Sequence, residues 1–181
     1  MTGIRFGIVL PTWVGLWYGF VFNVRVDYDA VRETALTAEK LGYDSVWAAD
    51  HLIYGDDGAV LECYTLLSAL SSITDRIRLG SAAICNSFRY PSVLAKMLST
   101  LDVISKGRIE LGIGAGYIAN EYAAYGIPWK NHGVRVAQLR EALLIIEKLW
   151  TEDSASFEGE YYSIKKAICE PKPLQKPHPP I

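Results

Sequence analysis

The chain has 181 residues, half of them hydrophobic, and a formal net charge of −2. That balance suits one soluble globular unit with a sizeable core, and it lacks the basic footprint that a nucleic-acid partner requires. No apolar run approaches the roughly 20 residues of a membrane span.

The first predicted element is a strand over "IRFGIVLP", ended by Pro11 and too short in its apolar part for a secretory leader. Helical spacing follows from Asp29 to Leu41, with Val31, Ala35, Ala38 and Leu41 on one face and Gly42 as the stop. A second strand, "YDSVWAADHL", precedes a helix over "ECYTLLSALSSIT" that gathers Cys63, Leu66, Leu67 and Leu70. A third strand, "RIRLGSAAIC", leads to a helix opened by Pro91, where the missing N–H costs nothing. The fourth strand is "RIELGIGAG", and its helix runs from Val134 to Trp150 with Val136, Leu139, Leu143, Ile146 and Trp150 facing inward. "SFEGEYYSI" reads as two short strands turning at Glu158-Gly159, and the tail from Glu170 to Pro180 is proline-rich and extended.

Four successive strand–helix units imply parallel strands joined by helical crossovers. Both an open doubly wound sheet and a barrel of eight (β/α) units satisfy that pattern. The strand ends favour the barrel. Asp50-His51, Cys85-Asn86-Ser87 and Gly114-Ala115-Gly116 put polar or small residues at the ends of three different strands, the arrangement of a barrel's catalytic face. A whole barrel takes roughly 250 residues, so four units amount to about its first half. The expected organisation is a single domain over 1–181, with residues 151–181 forming a hairpin and a proline-rich extension. Three cysteines, odd in number and far apart, suit a reducing cytoplasm, and no His–Cys spacing suggests zinc.

The glycines of "GIGAG" invite a dinucleotide reading, but the fingerprint is G-x-G-x-x-G with an acidic residue about 20 positions on. Here the spacing is G-x-G-x-G and a long helix follows. What remains is a tight exit from a strand, or a close approach of backbone to a flat ligand. Asp50-His51 likewise has two readings: a capping pair, or a histidine placed to accept a proton. Histidine suits the second because it titrates near pH ~6.5. Arg89 and Arg135 are read as structural pairings, and Cys85 as a buried thiol because no His or Lys neighbours it in sequence.

The stretches "SVWAADHL", "RIRLGSAAICNSFRYPSVLAKMLSTLDVISKGRIELGIGAGYIANEYAAYGIP", "LREALLIIEKLW" and "FEGEYYSI...CEPKPLQKPHPPI" resemble the bacterial luciferase-like flavin monooxygenase superfamily. They are most similar to its coenzyme F-420-dependent oxidoreductases. The resemblance covers nearly the whole chain in order, and its long central block is the specific part. It implies an α/β fold, a TIM barrel of eight (β/α) units, and a cofactor that is a deazaflavin (coenzyme F-420) or, alternatively, FMN.

By the same resemblance Asp50, Ala82, Ala83, Cys85, Ala115, Gly116 and Asn120 are cofactor contacts, and His51 is the catalytic acid or base. The bond matching a bulge that is non-prolyl cis in some members is Ala82-Ala83. Tyr54 and Tyr117 fall in the substrate pocket, and both depart from the sugar-phosphate dehydrogenase branch. That branch has Glu where Tyr117 stands, and Trp shortly after the His, where this chain has Tyr54 and Gly55. A sugar phosphate is therefore disfavoured as substrate. The expected partners are a small-molecule substrate and either a homodimer mate, through the helices of units two and three, or a complementing C-terminal half. The alternatives to hydride transfer are an FMN-dependent monooxygenase and a non-catalytic half-barrel.

Overall fold

The computed structural model describes residues 3–17, 20–22 and 25–181, which divide into two compact units. The first comprises Met1–Ile84 with Glu110–Gly112, the second Cys85–Ile109 with Ile113–Ile181.

The first unit opens with β1 (Gly7–Val9), followed by an antiparallel pair, β2 (Gly15–Trp17) and β3 (Phe20–Phe22). Helix α1 (Tyr28–Leu41) begins where the Asp27 side chain accepts the Asp29 N–H, and it ends at Gly42. Then come β4 (Ser45–Ala48), α2 (Cys63–Ser71), β5 (Arg78–Ser81) and the start of β6 (Ile84–Cys85). At the head of α2 the Glu62 carboxylate accepts the N–H groups of Tyr64 and Thr65. Strand β4 lies parallel to β1 on one side and to β5 on the other, as the crossover pattern requires. An Arg78–Glu110 ion pair ties β5 to the fourth strand of the sheet. The core holds Val31, Ala35, Ala38, Val46, Leu66, Leu67, Leu70 and Leu79.

The second unit contains a 3-10 turn (Asn86–Phe88), α3 (Pro91–Ile104), β7 (Ile109–Glu110, whose Glu110 joins the first unit), β8 (Ile113–Gly114) and α4 (Ala119–Ala124). Helix α5 (His132–Thr151) and the antiparallel hairpin of β9 (Ala155–Glu158) and β10 (Ser163–Ala167) complete it. The sheet order is β1-β4-β5-β7. Helices α3 and α5 pack together, and the buried Trp150 donates its indole N–H to the Ala95 carbonyl at 3.0 Å. The tail is docked rather than loose. Asp102, fully buried on α3, accepts the Leu174 and Gln175 N–H groups and the Gln175 amide.

Two helix faces depart from their periodicity. Leu41 is 70% exposed, since it is the last residue of α1 before the chain turns at Gly42. On α5 the buried stripe is Ala142, Ile145, Ile146, Leu149 and Trp150, while Val136 is 45% exposed and Leu139 and Leu143 are half-buried. Anchoring of Trp150 against α3 sets the phase of that helix. Strands three and four are also each broken in two, at Ala82-Ala83 and at Leu111-Gly112.

The hairpin turn hangs on Glu141 of α5, whose carboxylate accepts the N–H groups of Glu160, Tyr161 and Tyr162 at 2.8–3.0 Å. Burial pushes that carboxyl up, but the three N–H donors outweigh it and hold it below its ordinary value. A depressed folded value means stability that is present above the unfolded pKa and is lost as pH falls through the folded one. Replacing Glu141 with Gln should therefore cost on the order of 1 kcal/mol at pH ~7 after discounting for solvent, and nearly nothing at pH ~2. Denaturant unfolding at the two pH values checks this, and an equal cost at both would contradict it.

Candidate active site

In the first unit the end of β4 carries Asp50, 2% exposed, followed by the half-buried His51. The imidazole lies flat on the Tyr54 ring, with centroids 4.1 Å apart and planes 15° apart. Tyr54 in turn meets Trp13 edge-to-face at 5.4 Å. Tyr54 therefore supports the His51 ring, in addition to any part it plays toward substrate. The stack covers a face of the imidazole and not its edge, where the nitrogen that accepts a proton lies. Trp13 has no motif around it, and only the stack in three dimensions reveals its part.

The end of β5 is pinned to the loop before β8. Ser81 Oγ donates to the Gly112 carbonyl at 2.9 Å and accepts the Gly112 N–H at 3.1 Å. The same carbonyl accepts the Ile84 N–H at 2.7 Å. A side chain at 112 would meet the Ser81 backbone, so glycine is required there for close approach. Between buried Ser81 and buried Ile84, Ala82 and Ala83 are exposed, and the bond joining them is cis. Two exposed methyl groups on a pinned backbone make a low platform, with no longer side chain to keep a flat ring away.

In the second unit Gly116 has φ +77°, and a Cβ there would run into the Tyr122 hydroxyl and come within 2.8 Å of Cys85 Sγ. The sequence offers ring approach as the reason for this glycine. The structure adds a local one: a left-handed turn wrapped on a buried phenol. Tyr122 is 1% exposed, its hydroxyl 3.0 Å from Cys85 Sγ, and it donates to the Ala115 carbonyl at 3.4 Å. Burial and then the Cys85 thiol push that hydroxyl above its ordinary value, so it stays a proton donor. Cys85 is buried as expected. Asn120, in the first turn of α4, is exposed, and Tyr117 is 69% exposed. Arg135 has the structural role expected of it: its guanidinium sits 3.8 Å over the Trp129 ring and donates to the Lys130 carbonyl.

A family model described as luciferase-like monooxygenase matches residues 4–181. The chain belongs to that family. It is 36% identical over 146 residues to an F420-dependent glucose-6-phosphate dehydrogenase of Amycolatopsis mediterranei, covering 79% of this chain and 44% of the relative. It is 32% identical over 157 residues to an FMNH(2)-dependent dimethylsulfone monooxygenase of Pseudomonas putida, covering 86% of this chain and 43% of the relative. Among solved structures, an F420-dependent secondary alcohol dehydrogenase in complex with an F420-acetone adduct matches with a TM-score of 0.76 and 25% identity. That match covers 96% of this chain and 51% of the other. The fold is thus the luciferase-like barrel, and the chain spans about half the length of the relatives it matches.

Replacing Gly116 with Ala should cost about 2–3 kcal/mol, from the left-handed backbone and from overpacking against Tyr122. Adding Tyr122→Phe removes the atom that the new methyl meets, so the double variant should show a coupling of about 0.5 kcal/mol or more. Thermal unfolding of the four proteins of that cycle checks the prediction. Strict additivity would contradict it.

Proposed function

We propose that the protein is an oxidoreductase that transfers a hydride between coenzyme F-420 and a small organic substrate. The observation that carries this reading is the likeness to F420-dependent dehydrogenases at 36–39% identity, over about four-fifths of the chain. The Ala82–Ala83 platform and the stacked His51 support it from the structure.

When bound, the deazaflavin supplies the hydride acceptor or donor. In the first unit, Ala82, Ala83 and Asp50 would hold the cofactor, and His51 would take the hydroxyl proton as the hydride leaves the substrate carbon. In the second unit, Cys85, Ala115, Gly116 and Asn120 are proposed as cofactor contacts and Tyr117 as a substrate-pocket residue. Tyr117 presents a phenol where the sugar-phosphate enzymes have a carboxyl, so the proposed substrate is an alcohol or carbonyl compound rather than a sugar phosphate. One specific observation supports FMN-dependent monooxygenation as the second reading, the 32% identity to the dimethylsulfone enzyme.

No helix among the described residues is long and apolar enough to cross a membrane, and the three buried free cysteines suit a reducing cytoplasm. The exposed Val93 and Ile104 of α3 support pairing with a second copy through that helix. The half-length match supports a complementing C-terminal half.

Fluorescence titration of the cofactor-free protein with coenzyme F-420 and with FMN tests the choice. Tight FMN binding with oxygen-dependent turnover would replace the first reading by the second. His51→Ala should slow hydride transfer by roughly 100-fold and leave cofactor affinity intact, whereas Asp50→Ala should weaken affinity first. An unchanged rate in His51→Ala would remove the proton-acceptor assignment.

A further inference from the structure

The second unit contains a cavity of about 400 Å³ that none of the proposed cofactor contacts lines. Its walls come from three places: the end of the 3-10 turn and the lead into α3 (Phe88, Arg89, Tyr90), the approach to and first turns of α5 (Lys130, Gln138), and the hairpin turn (Tyr162). Its volume lies within the range of small-molecule sites.

The chemistry of the walls is one-sided. Arg89 and Lys130 are cationic, and Tyr162 and Gln138 offer donors, while no carboxylate is among the lining residues. The neighbouring carboxylate, Glu141, is directed at three backbone N–H groups of the hairpin turn. Tyr90 and Tyr162 meet edge-to-face at 5.3 Å, and with Phe88 they give the cavity aromatic surface.

Behind Tyr162 lies Asn86, 1% exposed, whose side-chain N–H donates to the Tyr162 hydroxyl at 3.3 Å while its Oδ1 has no partner. If the amide is turned over, the phenol donates to Asn86 and the amide nitrogen becomes the orphan. In the orientation present, the phenol oxygen is an acceptor and no described residue receives its proton. Burial, ahead of the opposing Asn86 contact, pushes the Tyr162 hydroxyl above its ordinary value, so it keeps that proton to donate. Tyr162 is half-buried and lines the cavity, so a ligand there can receive that proton.

We propose that this cavity binds a small organic anion, a carboxylate on a flat apolar body, with Lys130 and the Tyr162 hydroxyl at the carboxylate and the aromatic rings at the body. The cavity shares no lining residue with the proposed cofactor contacts, and its test needs no cofactor. Benzoate titrated into the isotope-labelled protein should give saturable shifts of the Gln138 side-chain amide and of the Tyr90 and Tyr162 signals. Benzamide, the same shape without the charge, should bind about tenfold more weakly. Lys130→Met and Tyr162→Phe should each weaken benzoate about fivefold or more, and Lys148→Met, elsewhere on α5, should leave it unchanged. Lys130 is exposed, so its replacement leaves the fold intact even if Tyr162→Phe loosens the hairpin. Absence of saturation, equal binding of benzamide, or unchanged affinity in Lys130→Met would overturn the proposal.

Discussion

One hydroxyl holds the proposed ring platform in shape. Ser81 Oγ both gives a hydrogen bond to Gly112 and takes one from it, and the same Gly112 carbonyl also receives the Ile84 N–H. Each such bond contributes about 1 kcal/mol net, but their larger effect is geometric. They fasten the chain on both sides of Ala82–Ala83, so two alanines stand exposed at the end of an otherwise buried strand. A residue with a side chain at 112 would force Ser81 away and release the platform.

The rest of the first unit positions this clamp. The parallel register of β1, β4 and β5 carries Asp50 and His51 just past the end of β4, and the Ala82 N–H is anchored on the Ala48 carbonyl at 2.8 Å. Tyr54 then stacks on the imidazole and is itself backed edge-to-face by Trp13. Within the second unit a different phenol does comparable work: Tyr122 gathers Cys85, Ala115 and Gly116 around one buried oxygen.

The strand–helix alternation was legible in the sequence because periodicity and punctuation are local properties. Pro91 opens α3 as its letter indicates, and the hairpin turn begins at Gly159, with Glu158 still paired in β9. What was not legible depends on partners distant in the chain. The phase of α5 is set by Trp150 against Ala95, so Val136 faces outward despite its spacing. The breaks within strands three and four follow from a clamp between residues 31 apart. The resemblance identified Ala82–Ala83 and Gly116 as special. It could not show that Gly116 is shaped by Tyr122, or that Tyr54 supports His51. Ser81, Trp13 and Tyr122 carry no motif, and their roles arise only when the chain folds.

The central claim is that a flat cofactor ring lies against Ala82 and Ala83. The most direct measurement is the proton shift of those two methyl groups, selectively labelled, as coenzyme F-420 is added to the protein. A ring stacked on the platform places both methyls in its shielding cone, so both signals should move upfield together and saturate with the cofactor's own binding curve. Saturated cofactor with both methyl signals unmoved would contradict the account.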